Sequence, residues 1–399
     1  MNNNYLSIKK IMQLVYGVLV FACFMPYVFD NFYSMVFMRG QLLRIFFYAS
    51  VFLYIYKKLY KEPLVNIWIF IVAYIDIQAH LISGYGINIM NIYIYIDIVV
   101  FSVYCCKTIP NFFLKVNTYY FTVLLALNTL FMGSNGAFIN SNGQVSYLIG
   151  TKTSITLFQI VAFLFVHVYY RAKSNKKKND ATLLYMVLIA SVVIYNIRQP
   201  ISTSKICMAL WFGMMFLYYI FPKKIGIVLN WLFWVINVVN VLIIFFKIQY
   251  RFEYLLVDVL HEDLTLDNRE YIWEIVIANI INRPLFGHSI NSNVSFGLSE
   301  ALAYNRSAHN QILSWIFYFG LIGTIIIFIL LALLFYRYKV LDIRGVITRM
   351  TLTVLATLWI SEQWFLFTNF MLITILLNYL QEYEFKDIES KLSKYIYWR

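Results

Sequence analysis

Apolar residues arrive along this chain in runs of about 15 to 25, divided by short polar breaks. Runs of that length are what a helix needs to cross a bilayer, where roughly 20 residues span the hydrocarbon core. They lie at residues 11–28, 42–56, 63–82, 89–106, 112–132, 154–170, 181–197, 205–221, 225–246, 312–336, 347–361 and 364–380. The pattern predicts an all-α polytopic membrane protein of about 12 transmembrane helices, with 1–399 forming a single integral membrane domain. No repeat period and no separate soluble domain interrupts it.

Composition agrees. Of 399 residues, 61% are hydrophobic and only 13% charged, against about a quarter charged in an average soluble domain. The polar, basic start from Met1 to Lys10 leads into the first run with no small-residue cleavage site, so that run reads as a span rather than a signal peptide. The net charge of +13 is distributed as membrane topology requires. With the N-terminus inside, alternate breaks carry Lys57, Lys58, Lys61, Lys107, Arg171 with the lysines at 173–178, Lys223, Lys224, Arg337, Lys339, Arg344 and Arg349. The tail adds Lys386, Lys391, Lys394 and Arg399. This inside set holds about two thirds of the 32 Lys and Arg residues, as the positive-inside rule predicts, and it places both termini in the cytoplasm. No aromatic–basic groove pattern accompanies the charge, which excludes nucleic acid as a partner. The four cysteines, Cys23, Cys105, Cys106 and Cys207, all fall inside apolar runs without metal or disulfide spacing.

Two breaks on the outer side are longer, Gly133 to Thr153 and Lys247 to Gln311. A loop as long as the second is uncommon unless it is functional or disordered, and its aromatic and aliphatic content argues against disorder. Its segment from Leu264 to Pro284 reads as a capped amphipathic helix, with Asp267 as N-cap and Glu270 completing a capping-box pair. Ile272, Ile275, Val276 and Ile280 form the apolar stripe, and Pro284 with Gly287 ends the helix. Such a helix lies on the membrane surface or covers a cavity between spans.

Arg269 falls in the first turn, where the dipole disfavours a cation. Either Asp267, Glu270 or local packing tolerates it, or guanidinium and free backbone N–H groups converge on a bound anion such as phosphate. Arg283, at the favoured C-terminal end, reads as structural. His309 comes just before the next span, where the dipole favours neutral imidazole. It is a candidate general base, or else an interfacial or capping histidine. Gly320 and Gly323 in that span permit close helix approach.

These residues together resemble the O-antigen polymerase and O-antigen ligase superfamily of bacterial envelope glycosyltransferases. The resemblance rests on Arg269-Glu-Tyr-Ile-Trp273, Pro284-Leu-Phe-Gly287, His309-Asn310 and Phe319-Gly320-Leu-Ile-Gly323, in that order in and after the longest external loop. Tyr147-Leu-Ile-Gly150-Thr-Lys152-Thr153 is similar to the family's Leu-Gly-Thr-Lys-Asn, with Thr153 in place of Asn. Thr203-Ser204-Lys205 stands where many members have Ser-Arg, and lysine supplies charge without bidentate geometry.

The resemblance implies transfer of glycan from a polyprenyl diphosphate carrier to an acceptor sugar hydroxyl on the extracytoplasmic face of the bacterial plasma membrane. It further implies a polysaccharide repeat-unit polymerase for capsule, exopolysaccharide or O-antigen, working beside flippase and chain-length regulator proteins. On that reading Arg269, with Lys205 or Arg198, holds the diphosphate and His309 takes the proton. Asn310, Trp273, Lys152, Asp76 and Asp97 contact the acceptor or support the structure. The donor is already activated, so no cofactor is expected. The chain lacks a Gly-rich phosphate loop and an Asp-x-Asp pair, and no metal is expected either.

Within the spans, Asp76, Gln78 and His80 share the third run and Asp97 sits in the fourth. Intramembrane carboxylates are functional candidates. Antiparallel packing brings Asp76 and Asp97 to similar depth, with Arg44 as a partner in a buried network or an acceptor site. Three other activities compete: a ligase moving finished glycan to a final acceptor, a flippase of lipid-linked oligosaccharide, and a scaffold within an assembly complex. A transporter carries its charges near the midplane and often shows an inverted repeat; here they concentrate in one external loop.

Overall fold

Each apolar run falls largely within a helix. The computed structural model describes residues 2–133, 138–139, 145–150, 154–172, 178–198, 202–259, 269–290, 308–362 and 367–385. Among them are α1 (Asn2–Cys23), α2 (Tyr33–Tyr56), α3 (Pro63–Ser83), α4 (Ile89–Thr108), α5 (Pro110–Gly133), α6 (Ser154–Arg171) and α7 (Lys178–Arg198). There follow α8 (Ser202–Ile220), α9 (Pro222–Phe246), α10 (Arg269–Asn282), α11 (Gln311–Tyr336), α12 (Ile343–Ser361) and α13 (Phe367–Asn378). A two-stranded ribbon, Phe138–Ile139 with Val145–Ser146, lies between α5 and α6.

The ends have local causes. Proline at the first position starts α3 and α9. The side chains of Asn88 and Asp342 accept the backbone N–H of Met90 and Arg344 at the starts of α4 and α12, both at 2.9 Å. The second helix begins at Tyr33, ahead of the run at 42–56. Arg39 does not break it because Asp30 pairs with the guanidinium at 3.3 Å and Ala22 O accepts from it at 2.9 Å.

Among the described residues, eight helices, namely α2, α3, α4, α7, α8, α9, α11 and α12, are long and apolar enough to cross a membrane, and α1, α6 and α13 hold shorter apolar helices. The protein is therefore a helical, multi-pass membrane protein. Only 28% of the most apolar stretch is buried in α2, α8 and α9, against 78% in α12, so α12 is central and the other three are peripheral. α12 packs against α8, α9 and α11, and α4 against α2 and α13. The buried core runs contiguously from Tyr16 to Phe385.

Candidate functional site

The helix expected in the long loop is α10, and it folds against α11. Ile272, Trp273 and Val276 are buried, while Ile275 and Ile280 pack partly against the core. Trp273 contributes a polar contact as well as bulk: its Nε1–H donates to Ala308 O at 2.8 Å. That bond joins α10 to the residue immediately before His309. Arg269 stands one turn ahead of Trp273, so it and His309 flank the same indole–carbonyl contact. Its guanidinium forms no hydrogen bond or ion pair with a described residue.

The first turn is held from the end of α9. Lys247 pairs with Glu270, and with Glu274 at 2.8 Å, while the Tyr250 hydroxyl donates to Glu270 at 2.7 Å. Burial pushes the Glu270 carboxyl up, but the hydrogen bonds and charge from Lys247 and Tyr250 outweigh it and hold it below the usual range. Hydrogen bonds to Glu270 and Glu274 raise the Lys247 ammonium. The Glu270 carboxylate is thus engaged from the end of α9, a contact that its capping-box spacing did not predict. Asp267 lies outside the described residues.

Beyond α10 the chain docks into a break in α11. Gly320 has φ 67° and ψ −176°, which interrupts the helix and leaves five backbone groups in need of partners. Phe317 O accepts from His288 N at 2.7 Å, Tyr318 O from Ser289 N at 3.0 Å, and Phe319 O from the Tyr74 hydroxyl at 2.8 Å. Leu321 N and Ile322 N donate to Pro284 O and Leu285 O at 2.8 and 3.2 Å. Gln78 completes the clasp, its Nε2 donating to both Phe286 O and Tyr318 O at 2.6 Å. A Cβ at Gly287 would come within 2.5 Å of Gly320 N. Non-helical backbone at this depth is tolerated only where protein buries it, and here the two segments satisfy each other. Gly320 is therefore a helix break and also a point of close approach, since a Cβ there would come within 2.1 Å of Leu285 O. Gly323 is a close-approach glycine as well: a Cβ there would meet the Tyr74 ring at 2.8 Å.

His309 is half-buried with φ 46°, a left-handed turn that lets Asn310 begin α11. Asn310 is fully buried and bound on every side. Its Oδ1 accepts from Leu313 N at 3.1 Å, and its Nδ2 donates to Asn240 Oδ1 at 2.7 Å and Ile360 O at 3.2 Å. It ties α11 to α9 and α12, which is the structural of the two roles open to it.

The remaining candidates are spread out. Lys205 and Arg198 are exposed. Thr203 meets Ser361 at 2.6 Å and Ser204 donates to Gln159 at 2.9 Å; Lys205, two residues past Thr203, is turned to the opposite side of α8. Neither cation is brought to Arg269 by any described contact. Lys152 lies outside the described residues. Asp76 accepts from Ile87 N at 2.9 Å and lies 3.7 Å from His80, which fixes the α3–α4 turn. Asp97 is buried elsewhere, accepting from Ser50 at 2.6 Å. The expected Asp76–Asp97–Arg44 network does not form, since Arg44 is exposed on α2 beside Tyr48 and Tyr93. Lys247, Gln78, Tyr74 and His288, which the sequence did not single out for this site, shape it. Buried His288 stacks on Phe317 at 4.8 Å and lies 2.8 Å from Asn279 O. No group of His, Cys, Asp and Glu among the described residues has the makings of a metal site.

Comparison with protein-family models, with curated proteins and with solved structures finds no match to this chain. The geometry alone bears on function: a cation without a carboxylate partner among the described residues and a half-buried histidine, on either side of one buried hydrogen bond.

Proposed function

We propose that the protein is a polysaccharide repeat-unit polymerase acting on polyprenyl-diphosphate-linked oligosaccharide at the outer face of a bacterial plasma membrane. In this reading all 12 apolar runs cross, both termini are cytoplasmic, and α10 with His309 faces outward. The observation that supports it most is the Trp273–Ala308 hydrogen bond, which couples the arginine-bearing helix to the histidine-bearing turn.

The acceptor hydroxyl oxygen attacks the anomeric carbon of the donor sugar as the carbon–oxygen bond to the diphosphate breaks. The polyprenyl diphosphate leaves with the electron pair, and His309 takes the hydroxyl proton. Arg269 stabilises the charge that grows on the departing phosphate, and its position at the N-terminus of α10 adds backbone N–H groups to the same task. Lys247 stands ready only indirectly, since Glu270 and Glu274 engage it.

Purified protein supplied with a single lipid-linked repeat unit is expected to form a ladder of longer glycans. His309→Ala should slow that ladder by about 10² to 10⁴, the usual contribution of a general base. Near-normal polymer from folded His309→Ala protein removes His309 from the mechanism. Glycan moved only to a different final acceptor identifies a ligase instead.

A further inference from the structure

α10 opens with a charge pattern that works against the task given to Arg269. Arg269 is its first residue, and the carboxylates of Glu270 and Glu274 follow within the first two turns. The dipole favours carboxylates at a helix start, but here they oppose any anion drawn to Arg269 and the backbone N–H groups around it. Adjacent positions on a helix do not face each other, so Glu270 acts on such an anion through its field and not by capturing the guanidinium. The end of α9 supplies the answer to that field. Lys247 follows the helix directly, in a left-handed turn with φ 51°. Glu270 and Glu274 stand one turn apart on a single face of α10, and the Lys247 ammonium pairs with both, at 2.8 Å to Glu274. The Tyr250 hydroxyl donates to Glu270 at 2.7 Å and draws off more of its charge.

We propose that Lys247 is a positioning residue for the donor, one that neutralises Glu270 and Glu274 so that the start of α10 attracts the carrier diphosphate to Arg269. The inference rests on the polymerase reading, which puts the diphosphate at Arg269, and it gives Lys247 a role that needs no contact with substrate. With Lys247 in place the two carboxylates and the two cations balance; without it the helix start carries a net negative charge. A carboxylate left uncompensated a few ångströms from the bound anion weakens binding by about tenfold at low salt. The effect shrinks as salt rises, because exposed charges are screened over about 8 Å at physiological ionic strength. Lys247 and Glu274 are exposed at 44% and 56%, so the change is one of charge at the surface and leaves the core untouched.

The test is binding of polyprenyl diphosphate, without glycan, to the full-length protein in phosphatidylcholine nanodiscs at low and high salt. Lys247→Ala is expected to weaken binding by about tenfold at low salt and by less at high salt. The decisive variant combines Lys247→Ala with Glu270→Gln and Glu274→Gln, which leaves the contact between α9 and α10 broken but removes the opposing charge. Its affinity should return to that of the unaltered protein. Affinity that stays low in the triple variant means that Lys247 grips the phosphate itself or merely holds α10 in place, and overturns the proposal. Undiminished binding by Lys247→Ala overturns it too, and both results leave the polymerase reading standing. Undiminished binding by Arg269→Ala removes the diphosphate from α10, and with it both that reading's donor site and the role of Lys247.

Discussion

Trp273 shows how one atom decides a residue's role. Its ring is buried as any core tryptophan would be, but its Nε1–H fixes Ala308 O and with it the turn at His309. Trp273→Phe keeps most of the bulk and removes this buried hydrogen bond, at a cost of about 0.5 to 1.5 kcal/mol. The expected outcome is protein at normal membrane levels whose polymer formation falls at least as far as that energy implies. Unchanged polymer would show that the bond does not position His309. Arg269 and His309 were legible as candidates through their places at helix starts, and Trp273 only through the family resemblance. The sequence did not reveal what each side chain touches. Glu270 has the spacing of a capping residue, and that spacing gave no sign that Lys247 and Tyr250, some twenty residues earlier, bind its carboxylate. Asn310 stood open between acceptor contact and structural support, and its three hydrogen bonds within α11 and to α9 and α12 make it a tie.

Among the elements, the helices themselves were legible and their interruption was not. Every apolar run corresponds to a helix, because bilayer-length hydrophobicity is a strong and local signal. The break in α11 is non-local: Gly320 is matched by Pro284–Ser289, more than thirty residues back, and the pairing is made of backbone hydrogen bonds that side-chain types barely report. A glycine in an apolar span has two common meanings, close packing and backbone freedom. Gly323 has the first and Gly320 has both. Gly320→Ala should therefore be severe. Its φ of 67° suits glycine, and a Cβ would strike the Leu285 carbonyl, so a loss of about 1 to 3 kcal/mol from backbone conformation alone is expected. Hydrogen exchange should show residues 283–290 losing protection while α12 keeps its own. Retained protection at 283–290 would mean the clasp does not depend on this break.

At the scale of the whole molecule, charge placement supplies an orientation that a bundle of helices does not carry by itself. The proposed orientation puts the segment at 173–177 inside and the one at 291–307 outside. All four native cysteines are buried, which leaves a quiet background for labelling single introduced cysteines. In intact cells an impermeant thiol reagent should modify Glu300→Cys and spare Lys176→Cys; the reverse pattern inverts the topology. The central claim is that Arg269 grips the carrier diphosphate of an outward-facing donor, and the most direct measurement is the fate of lipid-linked oligosaccharide in Arg269 variants. Guanidinium binds two phosphate oxygens at once where lysine offers a point charge, so Arg269→Lys should retain some polymer and Arg269→Ala almost none. Both should accumulate single repeat units on the carrier, open to an impermeant glycosidase at the cell surface. Repeat units in Arg269→Ala cells that stay protected from the glycosidase, facing the cytoplasm, would contradict the account and identify the protein as a flippase.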